Sequence, residues 1–358
     1  MKKKFEHIEL LRFFSALVVV VTHYIHFFYP YNKTSNLEIY LENTLNLQEK
    51  FLPFYIFLEN IYKYGYVGVN FFWLISGFVL AYAYLNKDRY KISFKEFFVN
   101  RFARLYPLHF LTLILVLILQ FVLKIETNEF QIVDQNLYNG ENDLQSFISH
   151  IFFISGWLES NKFSFNFPIW SVSIEILIYF LFFLSLRFLY KYKIFLSLLI
   201  FILFLYLEKS NINLFFDSCG RYFFSGVFLF VFCEKIKNYN YILIIATILL
   251  ILNFVGNFKY NLFFASLILY AYYFDTKIKY KYSLYYSKLG NLTYGSYLLH
   301  IPVQLLTIFI FYKFEINIEI FTQYYFLIAY LTAIFFLSHV CYKLYENPMR
   351  IFLKKKFN

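Results

Sequence analysis

Apolar stretches of roughly 20 residues recur along the entire chain, and this repetition limits the possible folds more than any motif does. A helix of about 20 such residues crosses a hydrocarbon core about 30 Å thick. Only 15% of the residues are charged while 60% are hydrophobic and 25% aromatic, too little polar surface for a domain that faces water. The expected fold class is therefore all-α: a polytopic integral membrane protein of about ten transmembrane helices. The candidate spans are about 9–28, 66–84, 104–124, 168–189, 193–208, 219–235, 240–256, 258–274, 291–312 and 322–343. A shorter apolar patch at about 147–158 is either re-entrant or an eleventh span. No Pro/Gly-rich or charged linker and no internal repeat divides the sequence, so a single transmembrane domain covering 1–358 is expected.

Charge placement orients the spans. A net charge of +11 would suggest nucleic acid in a soluble protein, but here the basic residues sit in short turns between apolar runs. With Lys2, Lys3 and Lys4 in the cytoplasm, the turn bearing Lys87, Arg89, Lys91, Lys95 and Arg101 also falls inside. The 125–146 loop, with Glu126, Glu129, Asp134, Glu141 and Asp143 and no Lys or Arg, falls outside. If the short patch does not span, Arg187, Lys191, Lys193, Lys235, Lys237, the Lys277–Lys288 cluster and Lys354, Lys355 and Lys356 all fall inside too. Ten spans thus satisfy the positive-inside rule at each cytoplasmic turn, and both termini are expected to be cytoplasmic. The N-terminal run resembles a signal peptide only superficially. Arg12 interrupts it, His23 and His26 follow, and no small-residue cleavage site appears, so it is read as a retained first helix. Cys219, Cys233 and Cys341 occur singly, without CxxC or other metal-type spacing, which argues against disulfides and zinc.

Against this apolar background, charged side chains inside spans are informative, because each costs about 2.5–3.5 kcal/mol to insert and usually faces a cavity or a partner. Arg12 and His23 are eleven residues apart in the first span. On an α-helix they differ by about 20° around the axis and about 16 Å along it, which puts them on one stripe at different depths. Either Arg12 snorkels to lipid headgroups and His23 is an interior bonded histidine, or both work at a site. Arg101 and Arg104 stand one turn apart at the cytoplasmic edge of the third span, ahead of Pro107, in a chain with only seven arginines. They suit bidentate phosphate binding, against the plain alternative of topology. Trp170 and Ser171 open the fourth span, with Glu175 about a turn inside it and Arg221 of the sixth span as a plausible partner. Gly68, Ser76 and Gly77 with Phe71, Phe72 and Phe78 favour close helix packing. His300, ahead of Pro302 in the ninth span, is either a cavity-lining residue or a structural one.

Taken in order along the chain, these blocks resemble the membrane acyltransferase family called acyltransferase 3. The resemblance begins with Arg12, ten residues and His23, and continues through Gly68-Val69-Asn70-Phe71-Phe72-Trp73-Leu74-Ile75-Ser76-Gly77-Phe78 and Arg101-Phe102-Ala103-Arg104-Leu105-Tyr106-Pro107. Trp170-Ser171-Val172-Ser173-Ile174-Glu175 follows, then Arg221 with Phe224 and Gly226, then Leu289-Gly290 to Tyr294 and Tyr297-Leu298-Leu299-His300-Ile301-Pro302. Asn70 stands where the family often has Asp, Asn100 where it often has a basic residue, and Ile178 where Phe is usual.

The resemblance implies an O-acyltransferase of a bacterial cytoplasmic membrane, in the form that lacks a fused esterase-like domain. Such an enzyme moves an acyl group, usually acetyl, from cytoplasmic acyl-coenzyme A to a hydroxyl of an envelope or exported carbohydrate. Acetyl-coenzyme A is then a co-substrate, no cofactor is tightly bound, and the partners are the carbohydrate acceptor and the bilayer, with no nucleic acid. His23, Arg12 and Glu175 are the implied catalytic group: His23 as general base or transient acyl carrier, Arg12 toward the donor, Glu175 orienting His23 or binding sugar. Arg101 and Arg104 would hold the coenzyme A phosphates. Ser76, Trp170, Arg221 and His300 are the substrate-binding candidates. The competing readings are a transporter or flippase for a lipid-linked sugar and a non-catalytic membrane scaffold. The former is disfavoured by the lack of an inverted repeat, and the latter leaves the intramembrane charges without a purpose.

Overall fold

A computed structural model describes residues 5–28, 52–87, 89–126, 142–157, 164–210, 214–256, 260–277 and 283–357. Lys2, Lys3 and Lys4, most of the acidic loop (127–141) and part of the basic cluster (278–282) lie outside the described residues. Among those described, regular structure is entirely helical. In chain order the α-helices are α1 (Glu6–Thr22), α2 (Tyr55–Tyr64), α3 (Val67–Tyr84), α4 (Phe94–Glu126), α5 (Leu144–Ile151) and α6 (Ile169–Lys191). They continue with α7 (Lys193–Lys209), α8 (Leu214–Lys235), α9 (Tyr239–Gly256), α10 (Asn261–Lys277), α11 (Ser283–Lys313), α12 (Tyr324–Cys341) and α13 (Asn347–Phe357). A 3₁₀ turn, His23–Phe27, extends α1, and a π turn, Tyr342–Glu346, joins α12 to α13.

Eight segments are long and apolar enough to cross a membrane, so the chain is a multi-pass membrane protein, with eight such spans among the described residues in place of the expected ten. The difference lies in α7 and α10. Both form where spans were expected, but each has 17 residues, about 26 Å of helix against a core of about 30 Å. The patch at 147–158 resolves into α5, whose eight residues cover only about 12 Å and cannot span. Helix starts also move. α4 begins at Phe94 rather than 104, which places Arg101 and Arg104 two and three turns inside a continuous helix instead of at its opening. The last span does not end near 343 but continues through the π turn into α13, which carries Lys354, Lys355 and Lys356. The short helix α2 breaks the apolar-run logic altogether, exposing Ile56 and Phe57 while burying Tyr55 and Tyr62.

The chain groups into two compact units, and α1, α4, α6 and α11 each contribute one end to each. The first unit comprises residues 1–15, 67–97 and 174–293. Its centre is the crossing of α3 and α8, where glycines let backbones touch. A Cβ on Gly77 would enter the carbonyl of Phe223, and one on Gly226 would enter the carbonyl of Leu74. That is the close packing expected of the small residues in this stretch. α9 in the same unit turns Ile244, Ile248, Ile251, Phe254 and Val255 outward, the surface of a helix solvated by lipid.

The second unit comprises 16–66, 98–173 and 294–358. One of its cores gathers Val20, Tyr24 and Ile25 with Tyr62, Phe321, Tyr330 and Ile334. Another gathers Leu113, Val116, Phe165, Phe167, Ile301 and Leu305, with Trp170 packed against it. The connection into α6 is strained yet tightly held. Phe165 adopts a left-handed φ of 45°, a cost of about 1–3 kcal/mol for a bulky residue. Its amide donates to Asn142 Oδ1 at 2.7 Å.

Candidate active site

The second unit holds the densest polar arrangement, and it begins where α1 stops. Thr22, the last residue of α1, donates its hydroxyl to the carbonyls of Val18 (2.9 Å) and Ile61 (2.8 Å), tying the helix end to α2. Gly65 permits this approach, since a Cβ there would collide with the Thr22 hydroxyl. The chain then tightens into the 3₁₀ turn that starts at His23, so the α-helical register behind the shared-stripe expectation stops one residue before His23.

His23 meets His300 of α11. Nδ1 of His23 lies 2.8 Å from Nε2 of His300, and the rings are nearly parallel, 21° apart, with centroids 5.0 Å apart. The Phe167 ring packs against His23 at 4.9 Å, and His26 lies at 5.7 Å. The backbone on both sides is clamped. Gln304 Nε2 donates to the His23 carbonyl (3.2 Å), and Tyr330 OH donates to the His300 carbonyl (3.1 Å). His300 and Gln304 are fully buried.

Pro302 explains a further part of the frame. Lacking an amide hydrogen, it leaves the carbonyl four residues earlier, Leu298, without its helical donor. Asn166 supplies one, its Nδ2 donating to the Leu298 carbonyl at 3.1 Å from a fully buried position. Tyr297 OH donates to the Pro168 carbonyl (3.0 Å) and is hydrogen-bonded to Ser171 Oγ (2.7 Å). The strained segment before α6 thus delivers Phe167 to the His23 ring and Asn166 to the Leu298 carbonyl. Trp170, one turn on, lies at the edge of the apolar cluster of Leu113, Val116, Ile301 and Leu305.

Of the residues singled out from the sequence, His23, His300, Trp170, Arg101 and Arg104 belong to this unit, and the structure brings His23 and His300 into direct contact. Arg12, Ser76, Glu175 and Arg221 belong to the other unit. There Arg12 is paired with Glu9 one turn before it, at 3.1 Å, and Glu9 is packed on the backbone at Gly290. The start of α1 is fixed by Asp275 of α10. One carboxylate oxygen of Asp275 accepts the amides of Glu6 (3.1 Å) and His7 (3.0 Å) and contacts His7 Nδ1 at 2.6 Å. Ser76 Oγ is hydrogen-bonded to Tyr179 OH at 2.9 Å. Glu175 lies within electrostatic reach of Cys219. Arg221 sits 2.9 Å from Glu208 of the preceding helix and over the ring of Tyr222, so its ion pair is with Glu208, not the expected Glu175. Among the described residues no group of three or more His, Cys, Asp or Glu is placed to hold a metal ion.

Several of these partners escape local sequence reasoning. Glu9 was within its reach, because a carboxylate three residues before an arginine on a helix is a ready partner. Pro302 was a second signal, since an interior proline requires a donor from elsewhere. Asp275, Glu208, Gln304 and Tyr330 carry no local mark that distinguishes them.

Comparison with known proteins agrees with the sequence blocks. The family model described as an acyltransferase domain, acyltransferase 3, matches residues 5–343. The acyltransferase MdmB of Streptomyces mycarofaciens is 30% identical over 118 residues, which cover 32% of this chain and 27% of that protein. The match therefore spans about a quarter of the relative's length. No solved structure matches the chain. With a family model extending from the residue before α1 into the π turn, the chain belongs to the acyltransferase 3 family of membrane acyltransferases.

Proposed function

We propose that this protein is an O-acyltransferase that moves an acetyl group from cytoplasmic acetyl-coenzyme A to a hydroxyl of an envelope or exported carbohydrate. The observation that carries this reading is the His23–His300 pair, a histidine in the first span held by a second histidine. General base chemistry on a hydroxyl needs a positioned imidazole of this kind. In the reading, Arg101 and Arg104, on successive turns of α4, hold coenzyme A phosphates through their planar forks. Arg12, oriented by Glu9, draws the thioester end of the donor inward. Both termini face the cytoplasm, α7 and α10 cross as short spans, and the protein resides in the cytoplasmic membrane of a bacterium. Trp170, in the same unit as His23, is assigned to the carbohydrate. The relative's description as an acyltransferase supports the reaction type.

The chemistry balances without a cofactor. His23 takes the proton of the acceptor hydroxyl as its oxygen attacks the thioester carbonyl carbon. A C–O bond forms, the C–S bond breaks, and the departing thiolate recovers the proton as free coenzyme A thiol.

The test uses purified protein in proteoliposomes supplied with acetyl-coenzyme A. Thiol release is expected only when a carbohydrate acceptor is added, with a matching acetyl mass gain on that acceptor. Acceptor uptake or flipping without thiol release would instead assign the protein to transport. A second measurement addresses the donor end. Replacing Arg101 and Arg104 together with alanine is expected to raise the KM for acetyl-coenzyme A by about 10- to 100-fold, the loss of two charge-assisted contacts. Unchanged donor binding would return both arginines to topology.

A further inference from the structure

Resting on the acyl-transfer reading, we infer that His300 is the positioning residue for His23, fixing its tautomer so that Nε2 is the reacting nitrogen. The assignment follows from donors and acceptors. His300 Nδ1 lies 3.2 Å from the carbonyl oxygen of Ser296, which can only accept, so Nδ1 of His300 carries hydrogen. In a neutral imidazole the other nitrogen is then a bare acceptor. That nitrogen, His300 Nε2, is 2.8 Å from His23 Nδ1. His23 must therefore donate from Nδ1, which leaves its Nε2 with a free lone pair. The opposite tautomer of His23 would place two lone pairs against each other across 2.8 Å, and two imidazolium rings would place two N–H groups there.

This arrangement fills the role that a carboxylate fills in many catalytic triads. When His23 Nε2 takes the hydroxyl proton, the new positive charge spreads through Nδ1–H to His300 and onward to the Ser296 carbonyl. The same geometry serves either fate of Nε2, proton acceptor or transient acyl carrier. In the carrier case the acyl–nitrogen bond forms as the thioester C–S bond breaks, the Nδ1 proton passes to His300 Nε2 so that the acylated ring stays neutral, and the departing thiolate then takes up that proton as free coenzyme A thiol.

The surroundings hold the pair in this register. Gln304 and Tyr330 fix the two backbone carbonyls, and the ring of Phe167 covers one face of His23. Among the described residues His26 is the other titratable side chain against His23, at a ring distance of 5.7 Å.

The experiment combines spectroscopy and kinetics on the full chain in membranes. Histidine nitrogen NMR of the wild-type protein, with His23 assigned by comparison with His23→Gln, is expected to show a protonated Nδ1 and a bare Nε2. His300→Phe is expected to lower kcat by about 100-fold while leaving the KM for acetyl-coenzyme A within about twofold, as loss of orientation rather than of binding predicts. His300→Gln, whose side-chain carbonyl can accept from Nδ1, is expected to recover at least about a tenth of the wild-type kcat, a rescue that mere space-filling would not give. A bare Nδ1 on His23, an undiminished kcat in His300→Phe, or a glutamine variant no better than phenylalanine would each overturn the inference. If His300→Phe does not fold, the wild-type spectrum decides. Failure of the underlying reading has a different signature, because then wild-type protein releases no coenzyme A thiol with any carbohydrate acceptor.

Discussion

His23→Ala is expected to reduce acetyl transfer by about a thousandfold, roughly 4 kcal/mol of transition-state stabilisation, while the KM for acetyl-coenzyme A stays close to wild type. In the proposed mechanism the substitution removes the imidazole that receives the acceptor proton. It leaves the arginines assigned to the donor untouched. The fold should tolerate it, because the main anchors nearby belong to neighbouring residues: Thr22 bonded to α2, and Tyr24, whose hydroxyl donates to the Phe321 carbonyl at 2.7 Å. His23→Gln keeps more of the side-chain volume and serves as the control for packing. The measurement is acceptor-dependent thiol release by purified protein, with thermal stability recorded in parallel. Wild-type turnover in a folded His23→Ala protein would remove His23 from the chemistry. The same assay divides its two possible roles. A burst of one thiol per enzyme without acceptor marks an acyl carrier, and no burst marks a general base.

The second large effect concerns folding rather than chemistry. Gly226→Leu is expected to abolish recovery of folded protein or to destabilise it by about 3 kcal/mol or more. At this position α3 and α8 touch backbone to backbone. An added Cβ would enter the Leu74 carbonyl and approach the Phe78 amide, neither of which can rotate aside as a flexible side chain could. Helix association inside lipid depends on such close contact, because no hydrophobic gain is available from leaving one apolar medium for another. Gly226→Ala should cost less, since a small separation of the helices admits one methyl group. Val255→Leu on the exposed side of α9 should have no measurable effect. Thermal unfolding in detergent orders the three variants. A melting temperature for Gly226→Leu equal to wild type would mean that the crossing is looser than described.

What could be read from the sequence follows from what is local. The apolar runs, the intramembrane cost of Arg12 and His23 and the small residues around Gly77 all act within a turn or two of the chain. Each reappears as a helix, an engaged polar group or a backbone contact. Pairings across the fold were not legible. His300 lies 277 positions from His23, and no periodicity carries information over that separation. Arg221 shows how a plausible partner misleads: Glu175 has the right charge, but Glu208 is the carboxylate 2.9 Å away. Helix starts were missed for a different reason. The opening turns of α4 interleave Lys95, Glu96, Asn100, Arg101 and Arg104 with aromatic residues, so the apolar run starts late while backbone hydrogen bonding continues back to Phe94.

An interior proline usually marks a hinge, because a missing hydrogen bond lets the helix flex. In α11 the carbonyl that Pro302 frees is claimed by Asn166, so the point where the helix could flex is pinned from outside. His300 lies at that point, between the claimed carbonyl and the proline. The imidazole pair is thereby preorganised: its geometry is set when the chain folds, and little reorganisation remains to be done at the moment a proton moves.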